Sequence, residues 1–212
     1  MNFTSQSERL QALLITPVIP VLTIDRLEDA VPLARALAAG GLNILEITLR
    51  TDTALDAIRD IARAEPDITL GAGTIRNPEQ AAQAIDAGAR FLVSPGMTPR
   101  LIEAAQRWPV SFLPGAATAS EAMALADMGY GFLKFFPAEQ AGGLPALKAL
   151  GAPLDDIRFC PTGGIGASNA SAYLALKNVV CVGGSWVAPP NLVAAADWPA
   201  ITTLARKACA LR

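Results

Sequence analysis

One unit recurs along this chain and limits the folds that it can adopt. It consists of an Ala/Leu-rich helical stretch, a glycine, a short β-rich run and a turn rich in Gly, Pro or Thr, with the glycine at Gly41, Gly88 and Gly129 in three clear copies. Such spacing predicts βα units that build a parallel sheet. The β-rich runs lie at residues 18–22, 44–49, 68–72, 91–94, 110–113, 132–136, 157–160 and 179–182. About eight units in 212 residues predict an α/β fold, a compact (β/α)8 TIM barrel.

Local signals predict where helices begin. Capping boxes are expected at residues 25–28 and 118–121, and a cap residue precedes a helix-starting proline at Asn77 and Thr98. Residues 5–14 predict an additional N-terminal helix ahead of the first strand. A doubly wound open sheet is the alternative architecture, but no GxGxxG motif follows the first strand. No linker marks a second domain, so residues 1–212 are expected to form one barrel domain.

Composition narrows the possible partners. The chain is 52% hydrophobic and 17% charged, which suits a large buried core. A net charge of −2 without a basic run argues against nucleic acid, and neither a signal-peptide pattern nor a long apolar stretch predicts a membrane partner. The cysteines Cys160, Cys181 and Cys209 are far apart and lack CxxC spacing. This pattern favours a reducing compartment, and we expect a cytoplasmic protein without structural zinc.

The chain has no histidine. General acid/base chemistry must therefore come from a carboxylate, lysine, tyrosine, cysteine or water. A carboxylate site for Mg²⁺ stays possible, but no acidic cluster indicates one. We therefore expect no metal and no cofactor, and favour metal-independent covalent catalysis.

Lys134 lies in the middle of an apolar run, Gly131-Phe-Leu-Lys-Phe-Phe-Pro137, that predicts a buried strand. A lysine out of water finds a partner or loses its proton, and a neutral amine can form a Schiff base with a carbonyl compound. The alternatives are a lysine that extends from the strand end to solvent and one that makes a structural ion pair.

Strand alternation places Glu46 and Arg50 on one face of the second predicted strand. The opposite face is wholly apolar and should contact helices, so both charges should point into the barrel, where an unpaired charge is costly. Lys134 shares its own face with Phe132 and Phe136. The amine and a carboxylate could therefore converge, although a buried ion pair of Glu46 with Lys134 or Arg50, without chemistry, remains an alternative.

Two glycine-rich turns follow the last two predicted strands, at residues 161–166 and 182–186. Glycines let backbone N–H groups approach an anion, and the loops after strands 7 and 8 hold phosphate in many barrels. The two turns predict a phosphate site, with Thr162 and Ser185 as hydroxyl donors.

Several segments together carry a family resemblance that covers the chain from about residue 17 to the C-terminus. They are Leu45-Glu-Ile-Thr-Leu-Arg50, Gly71-Ala-Gly-Thr74, Ser94-Pro-Gly96, Phe132-Leu-Lys-Phe-Phe-Pro-Ala-Glu139, Arg158-Phe-Cys-Pro-Thr-Gly-Gly-Ile165 and Gly183-Gly-Ser-Trp186. In type and order they resemble the family of 2-dehydro-3-deoxy-6-phosphogluconate (KDPG) and 4-hydroxy-2-oxoglutarate (KHG) aldolases. The resemblance implies a metal-free class I aldolase, usually a homotrimer, that cleaves KDPG to pyruvate and glyceraldehyde 3-phosphate in the Entner–Doudoroff pathway.

The resemblance also implies residue roles. Lys134 would be the Schiff-base lysine and Glu46 the general acid/base, while Arg50 and Thr74 would hold the carboxylate of the pyruvate half. Glu139 is interpreted as a strand-end or capping residue. The remaining predicted substrate-binding residues, mostly at the phosphate end, are Pro95, Thr162, Gly163, Gly164, Gly184 and Ser185.

The segment Gly115-Ala-Ala-Thr118 departs from the family pattern, which more often has a larger residue and a serine between the Gly and the Thr. This departure bears on substrate preference more than on mechanism. Three alternatives have different chemistry or a different substrate: a sugar-phosphate epimerase or isomerase, an aldolase for a related acid such as the galactonate phosphate, and a catalytically silent metabolite-binding protein. Covalent trapping with pyruvate would separate an aldolase from an epimerase.

Overall fold

The computed structural model describes residue 10 and residues 16–211. The predicted helix at residues 5–14 lies outside the described residues except for Leu10, which is helical and buried. No helix in the described part of the chain has the length and apolar character needed to cross a bilayer.

Strands and helices alternate along most of the described chain, as the sequence predicts. The strands are β1 (Val18–Leu22), β2 (Ile44–Thr48), β3 (Thr69–Gly73), β4 (Phe91–Val93), β5 (Ser111–Leu113), β6 (Gly115–Ala116), β7 (Phe132–Phe135), β8 (Arg158–Pro161) and β9 (Val182–Gly184). The helices are α1 (Leu27–Ala39), α2 (Ala54–Ala64), α3 (Pro78–Asp86), α4 (Pro99–Ala105), α5 (Ala119–Asp127), α6 (Gly143–Leu150), α7 (Ala170–Leu174), α8 (Pro190–Ala194) and α9 (Trp198–Cys209).

Within residues 16–211, the strands form two parallel sheets. One has six strands in the order β5-β4-β3-β2-β1-β9, and the other has three in the order β6-β7-β8. The predicted run at 110–113 continues beyond Pro114 as the short strand β6, which belongs to the second sheet. The predicted run at 179–182 was placed too early: β9 begins at Val182, whereas Val179 makes only an isolated bridge to Phe159.

Side chains of the strands alternate between two apolar clusters. In β4, Phe91 and Val93 belong to a small cluster that we call the inner cluster, whereas Leu92 packs in the large cluster with the helices. The inner cluster consists of Leu10, Ile19, Phe91, Val93, Leu113, Phe132, Cys160 and Cys181. In β7, Phe132 belongs to the inner cluster, while Leu133 and Phe135 pack in the large one. Lys134 therefore points to the inner side, as its predicted alternation requires.

Three of the four predicted helix starts are confirmed. The side chains of Asn77 and Thr98 accept N-cap hydrogen bonds, and Thr118 forms a complete capping box at α5. The predicted box at residues 25–28 was wrong. Helix α1 begins after Arg26, whose side chain makes no cap bond and instead donates from Nε and Nη2 to the buried carboxylate of Asp29 at 2.9 and 2.8 Å.

Candidate active site

The predicted convergence of Lys134 and Glu46 is confirmed. Lys134 lies in β7 and Glu46 in β2, and Lys134 Nζ donates to Glu46 Oε1 across 3.3 Å. Their side chains are only 5% and 4% exposed. A buried pair of this kind can be purely structural, so its chemical meaning depends on what surrounds it.

Gly73 leaves room for the carboxylate of Glu46, because glycine has no side chain. A Cβ built on Gly73 would overlap Glu46 Oε1, and it would lie 2.7 Å from the carboxylate carbon. Gly73 belongs to β3 and pairs in register with Thr48 of β2. The absence of a side chain on one strand therefore fixes the position of a carboxylate on its neighbour.

Lys134 adjoins a cavity through an aromatic ring. Its Nζ lies 5.3 Å from the centroid of the Phe136 ring, and Phe136 lines a cavity of about 550 Å³. Neither Lys134 nor Glu46 lines the cavity itself, which agrees with their near-complete burial. The cavity wall holds all five residues predicted for the phosphate end: Thr162, Gly163, Gly164, Gly184 and Ser185.

The glycine turn after β8 has an unusual backbone. Gly163 and Gly164 have φ values of 103° and 77°, a left-handed backbone conformation that residues other than glycine rarely adopt. Among the described residues, the N–H groups of Gly164 and Ser185 have no protein acceptor. Exposed backbone donors next to a cavity can bind an anion, as the sequence predicts.

Arg50 and Thr74 meet at the cavity mouth. Arg50 Nε donates to Thr74 Oγ1 across 3.2 Å, and Arg50 also lines the cavity. Alternation predicts that Arg50 points inward with Glu46, but β2 ends at Thr48, and Arg50 is exposed where it lines the cavity and is not buried as Glu46 is. Thr74 has a φ of 63°, and a β-branched residue in this region stores strain of about 1–3 kcal/mol.

Pro95, like Lys134, Glu46 and Thr74, does not line the cavity itself. Its backbone packs so closely on Gly115 that a Cβ there would overlap Pro95, and Gly115 pairs in register with Lys134. The departing residues follow Gly115: Ala116 is buried in β6, and Ala117 donates its N–H to Glu121 Oε2 across 2.8 Å.

Sequence reasoning missed several residues that shape the site. Phe136 was assigned to the same face as Lys134, but nothing in the pattern indicated that it lines a cavity. Gly183 is a strand residue whose Cβ would overlap Thr162 Oγ1, and only its place beside Gly184 hinted at a role. The interpretation of Glu139 as a cap was wrong, because Gly142 is the N-cap of α6.

The fold and site together define a class: α/β proteins in which a buried lysine–carboxylate pair adjoins a cavity walled by backbone donors. Comparison with known proteins makes the class specific. The family model of KDPG and KHG aldolases matches residues 10–204, and this chain belongs to that family.

Individual relatives are similar to this chain along nearly its whole length. The KHG/KDPG aldolase of Escherichia coli (strain K12) is 50% identical over 192 residues, which cover 91% of this chain and 90% of that protein. The KDPG aldolase of Legionella pneumophila, captured with pyruvate as a covalent carbinolamine, is 46% identical with a TM-score of 0.93, covering 94% of this chain and 98% of that one. The KDPG aldolase of Zymomonas mobilis ZM4, solved with 3-phosphoglycerate, is 45% identical with a TM-score of 0.92, covering 97% of each chain.

Proposed function

We propose that this protein is a class I aldolase that cleaves KDPG to pyruvate and glyceraldehyde 3-phosphate and also acts on KHG. The observation that carries the proposal is the buried contact of 3.3 Å between Lys134 Nζ and Glu46 Oε1. The covalent pyruvate adduct of the Legionella pneumophila relative and the dual name of the Escherichia coli relative support both the chemistry and the substrates.

Each step of the reaction has a residue to perform it. Glu46 accepts the proton that the Lys134 ammonium loses, and the free amine attacks the C2 ketone to give a carbinolamine. Glu46 returns this proton to the carbinolamine hydroxyl, which leaves as water and gives an iminium ion. The Glu46 carboxylate, directly or through a water, then removes the proton of the C4 hydroxyl, the C3–C4 bond breaks toward the iminium, and glyceraldehyde 3-phosphate leaves. Glu46 donates the proton to C3 of the resulting enamine, and hydrolysis of the new iminium releases pyruvate and free Lys134.

Two groups of residues would bind the ends of the substrate. Arg50 and Thr74 would hold the pyruvate carboxylate, since their contact places a guanidinium at the cavity mouth. Thr162, Gly163, Gly164, Gly184 and Ser185 would bind the phosphate, as their common position on the cavity wall suggests. Pro95 is retained as a candidate by resemblance, and its backbone packs on Gly115, which pairs in register with Lys134.

The two sheets are proposed to be one closed (β/α)8 barrel that forms a single domain over residues 1–212. Three features support closure. The strand β1 pairs with β9, and Thr162 makes a bridge to Gly183 between β8 and β9. In addition, Pro114 alone separates β5 of the first sheet from β6 of the second. By resemblance to the family, we also propose a homotrimer that works in the cytoplasm in the Entner–Doudoroff pathway.

The experiment that tests the function measures pyruvate release from KDPG and from KHG with a coupled lactate dehydrogenase assay. We expect cleavage of both by the wild type, unchanged activity after treatment with EDTA, and loss of at least about 10³-fold in Lys134→Met. Circular dichroism would establish that the variant is folded. Epimerisation of a sugar phosphate without pyruvate release, or an active Lys134→Met enzyme, would contradict the proposal.

A further inference from the structure

Three consecutive carbonyl groups at the Gly163–Gly164 turn accept hydrogen bonds from neighbouring residues. Ala138 N–H donates to Thr162 O at 2.8 Å, and Glu139 N–H donates to Gly163 O at 3.1 Å. The next carbonyl, Gly164 O, accepts from Asn169 Nδ2 at 3.1 Å. Successive left-handed glycines have a large conformational freedom to lose, so a turn of this shape depends on such contacts.

Glu139 joins these contacts into one network. Its side chain runs directly against Gly164, where a built Cβ would lie 2.5 Å from Glu139 Cγ and 2.7 Å from its Cβ. Its Oε1 then accepts hydrogen bonds from Tyr173 Oη and, at 3.4 Å, from Asn169 Nδ2. Asn169 Oδ1 in turn accepts from the N–H of Gly166 at 2.8 Å.

Tyr173 anchors the network to the core. Its side chain lies in α7 and is fully buried in the large cluster. Burial and the hydrogen bond to Glu139 raise the pKa of Tyr173, so its hydroxyl remains a neutral donor at neutral pH. Glu139, although exposed to solvent itself, is therefore tied to a side chain that does not move freely.

We propose that Glu139, Tyr173 and Asn169 form a loop-positioning network that holds the Gly163–Gly164 turn in the shape that binds the phosphate of the substrate. The inference rests on the proposed function, because it assigns the phosphate to this turn. It makes Glu139 a positioning residue and not a proton-transfer group, because its carboxylate accepts hydrogen bonds from Tyr173 and Asn169.

The chemistry of the network separates the effect of geometry from that of charge. Glu139→Gln keeps an oxygen that can accept from Tyr173 and Asn169, and it removes a negative charge beside an anion site. Glu139→Ala loses the acceptor and the packing on Gly164, while Tyr173→Phe loses only the hydroxyl. The order of phosphate affinity is therefore expected to be Glu139→Gln at least equal to the wild type, then Tyr173→Phe, then Glu139→Ala.

The test compares KM and kcat for KDPG and KHG in these variants, with Glu103→Ala, an exposed helix residue paired with Arg107, as the control. We expect Glu139→Ala to raise KM for KDPG about tenfold and Tyr173→Phe about threefold, with kcat changed less and KM for KHG within about twofold. In the Glu139→Ala/Tyr173→Phe double variant, the loss should be no larger than in Glu139→Ala alone, because both changes break one network.

A direct binding measurement separates this inference from the proposed function. Calorimetric titration with inorganic phosphate should show weaker binding to Glu139→Ala than to the wild type, whether or not the wild type cleaves KDPG. A wild type without aldolase activity would contradict the proposed function alone. Unchanged phosphate affinity and KDPG KM in both Glu139→Ala and Tyr173→Phe, or equal KM increases for both substrates, would overturn the network; so would a Glu139→Gln enzyme as impaired as Glu139→Ala.

Discussion

The two ends of the proposed active site, a reaction end and a phosphate end, are built from different chemical groups. At the reaction end, the side chains of Lys134 and Glu46 project from the strands β7 and β2 and are almost fully buried. At the phosphate end, backbone groups of two turns line an open cavity, and Ser185 is exposed. The reaction end therefore depends on charge and burial, and the phosphate end on backbone shape.

This difference predicts which substitutions each end tolerates. At the reaction end, a change of charge matters most, because a buried ion that loses its partner is strongly penalised. At the proposed phosphate end, removal of one hydroxyl should have a smaller effect, because several backbone donors would share the anion. The substitutions below distinguish the ends by their effect on turnover, on substrate preference or on stability alone.

The largest effect is expected from Glu46→Gln. Glutamine keeps the shape and a hydrogen-bond partner for Lys134 but cannot accept a proton, and positioned acid/base groups contribute about 10²- to 10⁴-fold to rate. Turnover on both KDPG and KHG should fall by about this factor, with KM changed much less, as measured by steady-state kinetics. Near-normal turnover would show that another group performs the acid/base role. It would also show that the reaction end does not depend on the charge of Glu46.

Gly73→Ala and Gly183→Ala form a matched pair that perturbs one end at a time. The new methyl group displaces the Glu46 carboxylate in the first variant and Thr162 Oγ1 in the second. Misplacement of a catalytic group by about 1 Å can lower rate about 10²-fold. We expect Gly73→Ala to lower kcat on both substrates by about that factor, and Gly183→Ala to raise KM for KDPG selectively.

Both glycine variants are also expected to lose about 1–3 kcal/mol of stability from overpacking. Chemical denaturation measures that loss, so kinetics should be taken well below the unfolding transition. The same kinetic pattern in the two variants would show that the ends are not separable.

Ser185→Ala tests the phosphate end without steric change. Loss of one hydrogen bond to a charged group corresponds to roughly 1.5–3 kcal/mol, or about one to two powers of ten in kcat/KM. The loss should fall on KDPG and leave KHG, which carries no phosphate, much less affected. Ser171→Ala, at an exposed position of α7, is the control. Equal losses on the two substrates would assign Ser185 to the fold or to pyruvate binding.

The smallest effect is expected at the capping box of α5, which lies outside both ends. The N–H of Ala117 donates to Glu121 Oε2 and, with Thr118, holds the pKa of Glu121 below its ordinary value of 4.5. A lowered pKa stabilises the fold above the ordinary pKa, and this contribution is lost as the pH falls through the lowered value. Glu121→Ala should therefore lose about 0.5–1 kcal/mol at pH 7, and the difference in urea denaturation should shrink as the pH is lowered below the ordinary pKa of 4.5. A difference that stays the same from neutral to acid pH would remove the role of charge.

Sequence reasoning reached the reaction end more completely than the phosphate end. Alternation along β2 and β7 placed Glu46 and Lys134 on the inner side, because strand geometry forces successive side chains to opposite faces. The same rule did not predict that Arg50 is exposed, since the strand ends at Thr48 and alternation does not apply beyond it. Glycine spacing located the cavity wall but could not predict its support by Glu139, Tyr173 and Asn169, because these contacts join separate βα units.

The prediction of the overall fold was limited in the same way, by contacts between residues that are distant in sequence. Helix–glycine–strand repeats predicted the alternation of elements and most of their bounds. The short strand β6 and the late start of β9 were missed, because strand pairing depends on neighbours that are distant in sequence.

The central claim is that Lys134 forms an imine with the substrate and that Glu46 accepts and donates the protons of the reaction. The most direct test is incubation with pyruvate and borohydride, followed by intact-mass and peptide mass spectrometry, since borohydride reduces an imine to a stable amine. The account predicts a single adduct per chain, located on Lys134, with activity lost in proportion to labelling. The absence of an adduct, or an adduct on another lysine, would contradict it.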